Sequence, residues 1–177
     1  MIISFSCQNF RSIREKVTLD LQASPDKHQR EYFVVDVPKP RLKVLKTAMI
    51  YGANASGKTN ILLALDAMRR IVTSASQNKD AAIPVQPHAL ERDKASVFEI
   101  AFVEDGILYE FHLELSERCI ISETLYHYPK RSRALIFDRQ LKDASSFEYS
   151  YKWTGAEFST QQMDAMNLLL QNRTVIS

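Results

Sequence analysis

The stretch Gly52-Ala53-Asn54-Ala55-Ser56-Gly57-Lys58-Thr59 fits the spacing G-x-x-x-x-G-K-[ST], the pattern of a phosphate-binding loop, or Walker A sequence. Each residue type has a physical reason to be there. Gly52 and Gly57 allow a tight backbone turn that aims successive N–H groups at phosphate oxygens. Lys58 brings a positive charge to the β- and γ-phosphates, which makes it the candidate catalytic residue, and the Thr59 hydroxyl is suited to ligate Mg²⁺. Ala53, Asn54, Ala55 and Ser56 supply the remaining backbone of the cradle. A helix opening at this point adds its partial positive charge to the same anion.

The flanks supply the context such a loop needs. Thr47-Ala48-Met49-Ile50-Tyr51 reads as a short buried strand leading in. Ile61, Leu65, Met68 and Val72 recur at helical spacing behind the loop, with Asp66, Arg69 and Arg70 off that stripe. The helix fades near Ser74 to Asn78, where helix formers give way to polar residues. Strand, glycine loop and helix together predict a nucleoside triphosphate site. ATP is expected rather than GTP, because no guanine-reading N-K-x-D is present.

The remainder of the chain narrows the class. With 177 residues, 45% of them hydrophobic, it has the material for one core and one domain. A net charge of +2 gives no overall basic field of the kind that announces a nucleic-acid binder. Basic pieces do occur at Lys39 to Lys46 and at Lys130-Arg131-Ser132-Arg133, as solvated loop charges or as a nucleic-acid contact. Cys7 and Cys119 are far apart and suit a reducing compartment, and no apolar run approaches the length of a membrane span. The expectation is a soluble cytoplasmic chain.

Taken in order, Ile3, Phe5 and Cys7 alternate with serines, and Val17, Leu19, Leu21 and Ala23 alternate with polar residues. These two runs predict an antiparallel hairpin. Residues 24–46 read mainly as a surface loop, with room for a strand at Tyr32 to Val37, and residues 79–94 as an irregular link. From Ser96 the period changes to two. Phe98, Ile100 and Phe102 form one arm and Tyr109, Phe111, Leu113 and Leu115 the next, with Glu104-Asp105-Gly106 as the turn. Further strands are predicted at Cys119–Tyr128, Ala134–Asp138 and Phe147–Trp153. Ser159-Thr160-Gln161-Gln162 resembles a capping box that opens a helix burying Met163, Met166, Leu169 and Leu170. A long antiparallel meander after the loop helix differs from the alternating βαβ order of kinases and small GTPases.

Phe5-x-x-x-Asn9-Phe10-Arg11-Ser12, followed by Ile50-Tyr51-Gly52-x-Asn54-x-Ser56-Gly57-Lys58-Thr59-Asn60-Ile61-Leu62-x-Ala64, resembles the N-terminal half of AAA-family, ABC-type ATPases. These are relatives of RecF, of the structural-maintenance-of-chromosomes heads and of the OLD-family proteins, many of them in bacterial anti-phage systems. The resemblance implies an α/β P-loop fold in which the N-terminal strands and loop helix precede an antiparallel meander. It implies ATP and Mg²⁺ as ligands, and Arg11 near the phosphates unless it is only a surface turn arginine. Asn54 and Asn60 would assist phosphate or partner contacts, or serve loop and helix-start chemistry alone.

The family also implies a signature sequence, an apolar strand ending Asp-Glu and a switch histidine, and the sequence offers no copy of these. Glu104-Asp105 sits in a hairpin turn signal, and Asp138 is followed by Arg139 where a catalytic Glu would stand. Residues 1–177 therefore read as the N-terminal portion of one ATPase domain, as a fragment, split subunit or truncated frame. Hydrolysis would then need a second half or a homo- or hetero-dimeric partner. The rival reading is a regulatory module that binds nucleotide without turning it over. His112 between Glu110 and Glu114 lies on the polar face of a predicted strand, where side chains diverge from any single metal centre.

Overall fold

The computed structural model describes residues 1–26, 28–37, 41–74, 78–130, 132–154 and 159–176, without the side chains of Thr160, Met163, Met166 and Asn167. Its frame is a seven-stranded sheet in the order β2-β1-β5-β6-β7-β8-β9, antiparallel at every pairing. The strands are β1 (Ile2–Gln8), β2 (Val17–Asp20), β5 (Ser96–Glu104), β6 (Ile107–Leu115), β7 (Ile120–Tyr128), β8 (Ala134–Asp143) and β9 (Glu148–Trp153). The turn between β5 and β6 is the expected one: Asp105 and Gly106 both have positive φ, 50° and 75°, as a two-residue hairpin of this hand requires.

Side-chain alternation gives the sheet two unlike faces. Phe5, Ile100, Phe111, Leu125, Phe137 and Trp153 lie side by side across the sheet from β1 to β9. One residue along each strand, Ser6, Glu99, His112, Thr124, Asp138 and Lys152 form the neighbouring row on the opposite face. The apolar face is covered by α2 (Lys58–Thr73), which buries Ile61, Ala64, Ala67, Met68 and Ile71 into the main core. Each of the larger of these side chains contributes about 1.5–3 kcal/mol by leaving water. The buried stripe is thus turned slightly from the predicted one: Leu65 and Val72 are half-buried at its margin, while the small Ala64 and Ala67 allow the close approach.

Two predictions for the chain before the loop are corrected. Residues 24–46, read mainly as a loop, hold a short helix α1 (Arg30–Phe33) and a hairpin of β3 (Val34–Val37), the strand allowed for at Tyr32 to Val37, with β4 (Leu42–Leu45). The prolines 38 and 40 that argued for a loop lie outside the described residues. Val37 and Val44 of this hairpin pack with Ile3 and Val103, so it closes one end of the polar face. Thr47–Tyr51, expected as a buried strand, is neither: it has no strand pairing, and Met49 and Tyr51 are 87% and 93% exposed. Among the described residues no strand pairs with it, and neither core cluster includes its apolar side chains.

At the far end, α3 (Thr160–Asn167) opens with the predicted capping box. The Gln162 N–H donates to Ser159 Oγ at 3.3 Å, and the Ser159 N–H donates to Gln162 Oε1 at 2.9 Å. Met163 and Met166 fall among the side chains not described, and Leu169 and Leu170 come after the helix, half-buried. The segment that follows is tied to the apolar face by a fully buried cross-strand pair. Arg139 donates to the carbonyls of Arg173 (2.6 Å) and Leu170 (3.2 Å), while Glu123 accepts the Val175 N–H at 2.9 Å. No helix among the described residues is long and apolar enough to cross a membrane.

Candidate functional site

The loop residues 52–57 lead directly into α2. Gly57 caps the helix at φ 88° and Ala55 has φ 62°, so the backbone reverses twice within three residues. A Cβ at Gly57 would sit 3.3 Å from Ser12 Oγ in a backbone region that side chains rarely adopt, which explains glycine there. No side chain caps α2 and its first turn holds no acidic residue. The N–H groups that begin the helix therefore face the loop with nothing negative beside them, an arrangement that suits an anion. Lys58 Nζ donates to the carbonyls of Gly52 (3.0 Å) and Ala53 (2.7 Å), so the ammonium is folded back over its own loop. Its charge is held at the mouth by two weak neutral acceptors, which an anionic phosphate would outcompete. The donor set fits a polyphosphate with a hydroxyl-ligated Mg²⁺ at Thr59, which is exposed beside it.

A cavity of about 270 Å³ lies over this loop, lined by Ala55, Ser56, Gly57, Lys58, Thr59 and Asn60, and by one residue from far away in sequence, Ser12. The structure thus gathers Ala55 to Asn60 of the predicted set around one opening, with Gly52 and Ala53 tied to it through Lys58; Asn54 lies exposed between them. Asn60 donates from Nδ2 to Ser12 Oγ, across the same opening.

Ser12 was not singled out from sequence, and its route to the site is instructive. After β1 the chain makes a small reversal in which Phe10 and Ile13 exchange two backbone hydrogen bonds of 2.8 Å, leaving Arg11 and Ser12 at the tip. Asn9 anchors that reversal. It is 1% exposed, adopts φ 52°, and donates from Nδ2 toward the carbonyls of Glu91, Lys94 and Ala95 at 2.9–3.1 Å. Its Oδ1 accepts the His88 N–H at 2.9 Å, and its carbonyl accepts Ser96 Oγ at 2.6 Å. Phe10 and Ile13 plug into the core below the tip. Arg11 is exposed, with its own N–H on the Gln86 carbonyl at 2.8 Å, and is not among the residues that line the loop cavity. The only sequence signal for Ser12 was its place in the Asn9-Phe10-Arg11-Ser12 run.

A larger concavity lies elsewhere, about 640 Å³ over the polar face of the sheet. Its charged groups answer one another. Glu99 pairs with Lys16, Ser6 and His112, Asp138 accepts from Thr124 and Gln140, and Glu110 is held by Tyr128 and Arg133. These partners are satisfied within the face, whereas the loop presents donors with no strong acceptor, so the smaller opening is the better ligand site. Glu104 and Asp105 lie at the exposed end of the β5–β6 hairpin, and Asp138 is on the sheet face opposite α2. None of the three lines the loop cavity, and the hairpin expected at Glu104-Asp105 is present. Among the described residues no group of three or more His, Cys, Asp or Glu is placed to hold a metal ion.

A family model described as "AAA domain, putative AbiEii toxin, Type IV TA system" matches residues 48–162, more than half of the chain. The match starts just ahead of the loop and runs through α2 and the meander into α3. No curated protein matches the chain.

Proposed function

The chain belongs to that AAA-domain family, and on this premise we propose that it is the ATP-binding portion of an ABC-type ATPase whose hydrolytic site is completed by another polypeptide segment. The observation that carries the reading is the loop itself. Its glycine-capped helix start, free of acidic side chains, stands beside a lysine held only by neutral carbonyls. In this role the loop N–H groups and Lys58 neutralise the phosphates, and Thr59 holds Mg²⁺, which supplies charge neutralisation on the phosphate oxygens. Arg11, exposed at the tip beside Ser12 but outside the cavity lining, is in this proposal a further cation for the phosphates once nucleotide is bound.

Orientation of an attacking water needs a carboxylate, and among the described residues none lines the loop cavity. The missing carboxylate comes, in this reading, from a second half or from a different polypeptide, and a signature sequence closes the site across a dimer, as in ATPases related to RecF, the chromosome-maintenance heads and the OLD proteins. A cytoplasmic, DNA-linked or phage-defence setting belongs to the same proposal. The same lack of a carboxylate favours one rival for this polypeptide alone, a regulatory module that binds nucleotide without turnover.

The test is nucleotide binding and turnover by the purified chain with Mg²⁺, in wild type and Lys58→Ala. Binding that the substitution weakens at least tenfold, without turnover, is the expected result. Equal binding by both proteins would remove the loop from the function.

A further inference from the structure

The loop cavity has a wall that the Walker A pattern does not supply. We infer that Ser12 is a phosphate-contacting residue of this site, its hydroxyl oriented by Asn60, so that the reversal after β1 forms the second jaw of the nucleotide cradle. The inference rests on the reading of the loop as a nucleotide site and adds a residue to it.

Three observations converge. Among the described residues, Ser12 is the one from outside the loop and helix that lines the cavity. Its Oγ accepts a hydrogen bond from Asn60 Nδ2 in the first turn of α2. That leaves the hydroxyl proton as the free donor, and no acceptor for it occurs among the described residues. The same oxygen lies 3.3 Å from where a Cβ on Gly57 would stand, beside the residue that caps α2. A serine hydroxyl polarised this way donates well to an ionised oxygen.

The construction behind Ser12 is out of proportion to a solvated turn. Asn9, buried beneath the tip, spends its amide on three carbonyls and one N–H of residues 88–95. Phe10 and Ile13 fix the tip to the core that α2 also enters. Tip and helix therefore share one foundation, so the distance between Ser12 and the loop is set by packing rather than by a flexible connection. Preorganised donors of this kind bind without an ordering cost at the moment of contact.

The experiment titrates a ribose-labelled fluorescent ATP analogue with Mg²⁺ into wild type, Ser12→Ala, Ser12→Thr, Asn60→Ala, the Ser12→Ala/Asn60→Ala pair and Lys58→Ala, with melting curves for each. Ser12→Ala should weaken binding about tenfold, the loss of one hydrogen bond to a charged group. Its melting temperature should not change, because Ser12 is exposed. Ser12→Thr, which keeps the hydroxyl, should bind like wild type. Asn60→Ala should weaken binding less than Ser12→Ala, and the double variant should be no worse than Ser12→Ala alone, since Asn60 acts through Ser12. If Lys58→Ala loses binding while Ser12→Ala stays within about twofold of wild type, the inference fails and the loop reading stands. If wild type and Lys58→Ala bind alike, or neither binds, both fall.

Discussion

Asn9 shows how much of a binding site is decided by a residue that never meets the ligand. Its buried side chain donates toward three carbonyls and accepts from one N–H, and its own φ of 52° is one that asparagine tolerates better than most residues. Asn9→Ala would remove these hydrogen bonds from beneath the tip, leaving the Glu91 carbonyl the Lys94 N–H at 3.1 Å, and the expected loss is roughly 1–3 kcal/mol of stability, measurable by urea unfolding. A loss under about 1 kcal/mol would mean that water replaces the amide readily. At Gly57 the expectation has a different origin. Gly57→Ala meets both a positive φ and the Ser12 hydroxyl, so it should cost about 1–2 kcal/mol and weaken nucleotide binding together. The sequence disclosed the glycine and lysine through their spacing. It disclosed Ser12 only as a neighbour of Arg11, because proximity between residues 12 and 60 is a property of packing that no local pattern carries.

At the scale of elements, the meander was legible because period-two alternation and a turn signal act within a few residues of each other. Phe98, Ile100 and Phe102 against Tyr109, Phe111 and Leu113, with Asp105-Gly106 between, leave little freedom of register. The hairpin β3–β4 was half-hidden, since its inward residues Val37 and Val44 are separated by a charged, proline-bearing link. The segment 170–176 was hidden altogether, because what fixes it is the buried pair Glu123 and Arg139 rather than any periodicity. Burial pushes Glu123 up to about 7, against the lowering pull of the Val175 N–H and of Arg139. That lies above the ordinary 4.5 expected for the unfolded chain, so the native state retains the proton longer. Its contribution is full below about pH 4.5 and is lost as pH rises through about 7, up to about 3 kcal/mol in all. Melting temperature should therefore fall between about pH 5 and pH 8, and Glu123→Gln should flatten that dependence. A melting temperature that rises over this interval would show that Glu123 ionises normally against Arg139.

On the scale of the whole molecule, the antiparallel lobe is self-sufficient while the approach to the loop is not. The core joins α2 to the sheet, but Met49, Ile50 and Tyr51 are exposed in front of the phosphate loop, with Leu62 exposed on the outer side of α2. Sequence reading made residues 47–51 a buried strand because their composition is that of one, and the composition asks for a layer that the described residues do not supply. Amide hydrogen exchange offers a direct check: residues 47–51 should exchange within seconds in the chain alone, while β5, β6 and β7 are protected for hours. Slow exchange at Met49 to Tyr51 would mean that they are already paired in solution.

The claim on which the account depends is that residues 52–60 form a working triphosphate cradle lacking its catalytic carboxylate. Calorimetric titration of MgATP into wild type and Lys58→Ala, with phosphate release followed on the same samples, tests it most directly. The account predicts saturable binding by wild type, binding at least tenfold weaker in Lys58→Ala, and no release of phosphate by either. Phosphate release by wild type that disappears in Lys58→Ala would contradict it, and would place a hydrolytic carboxylate within this chain.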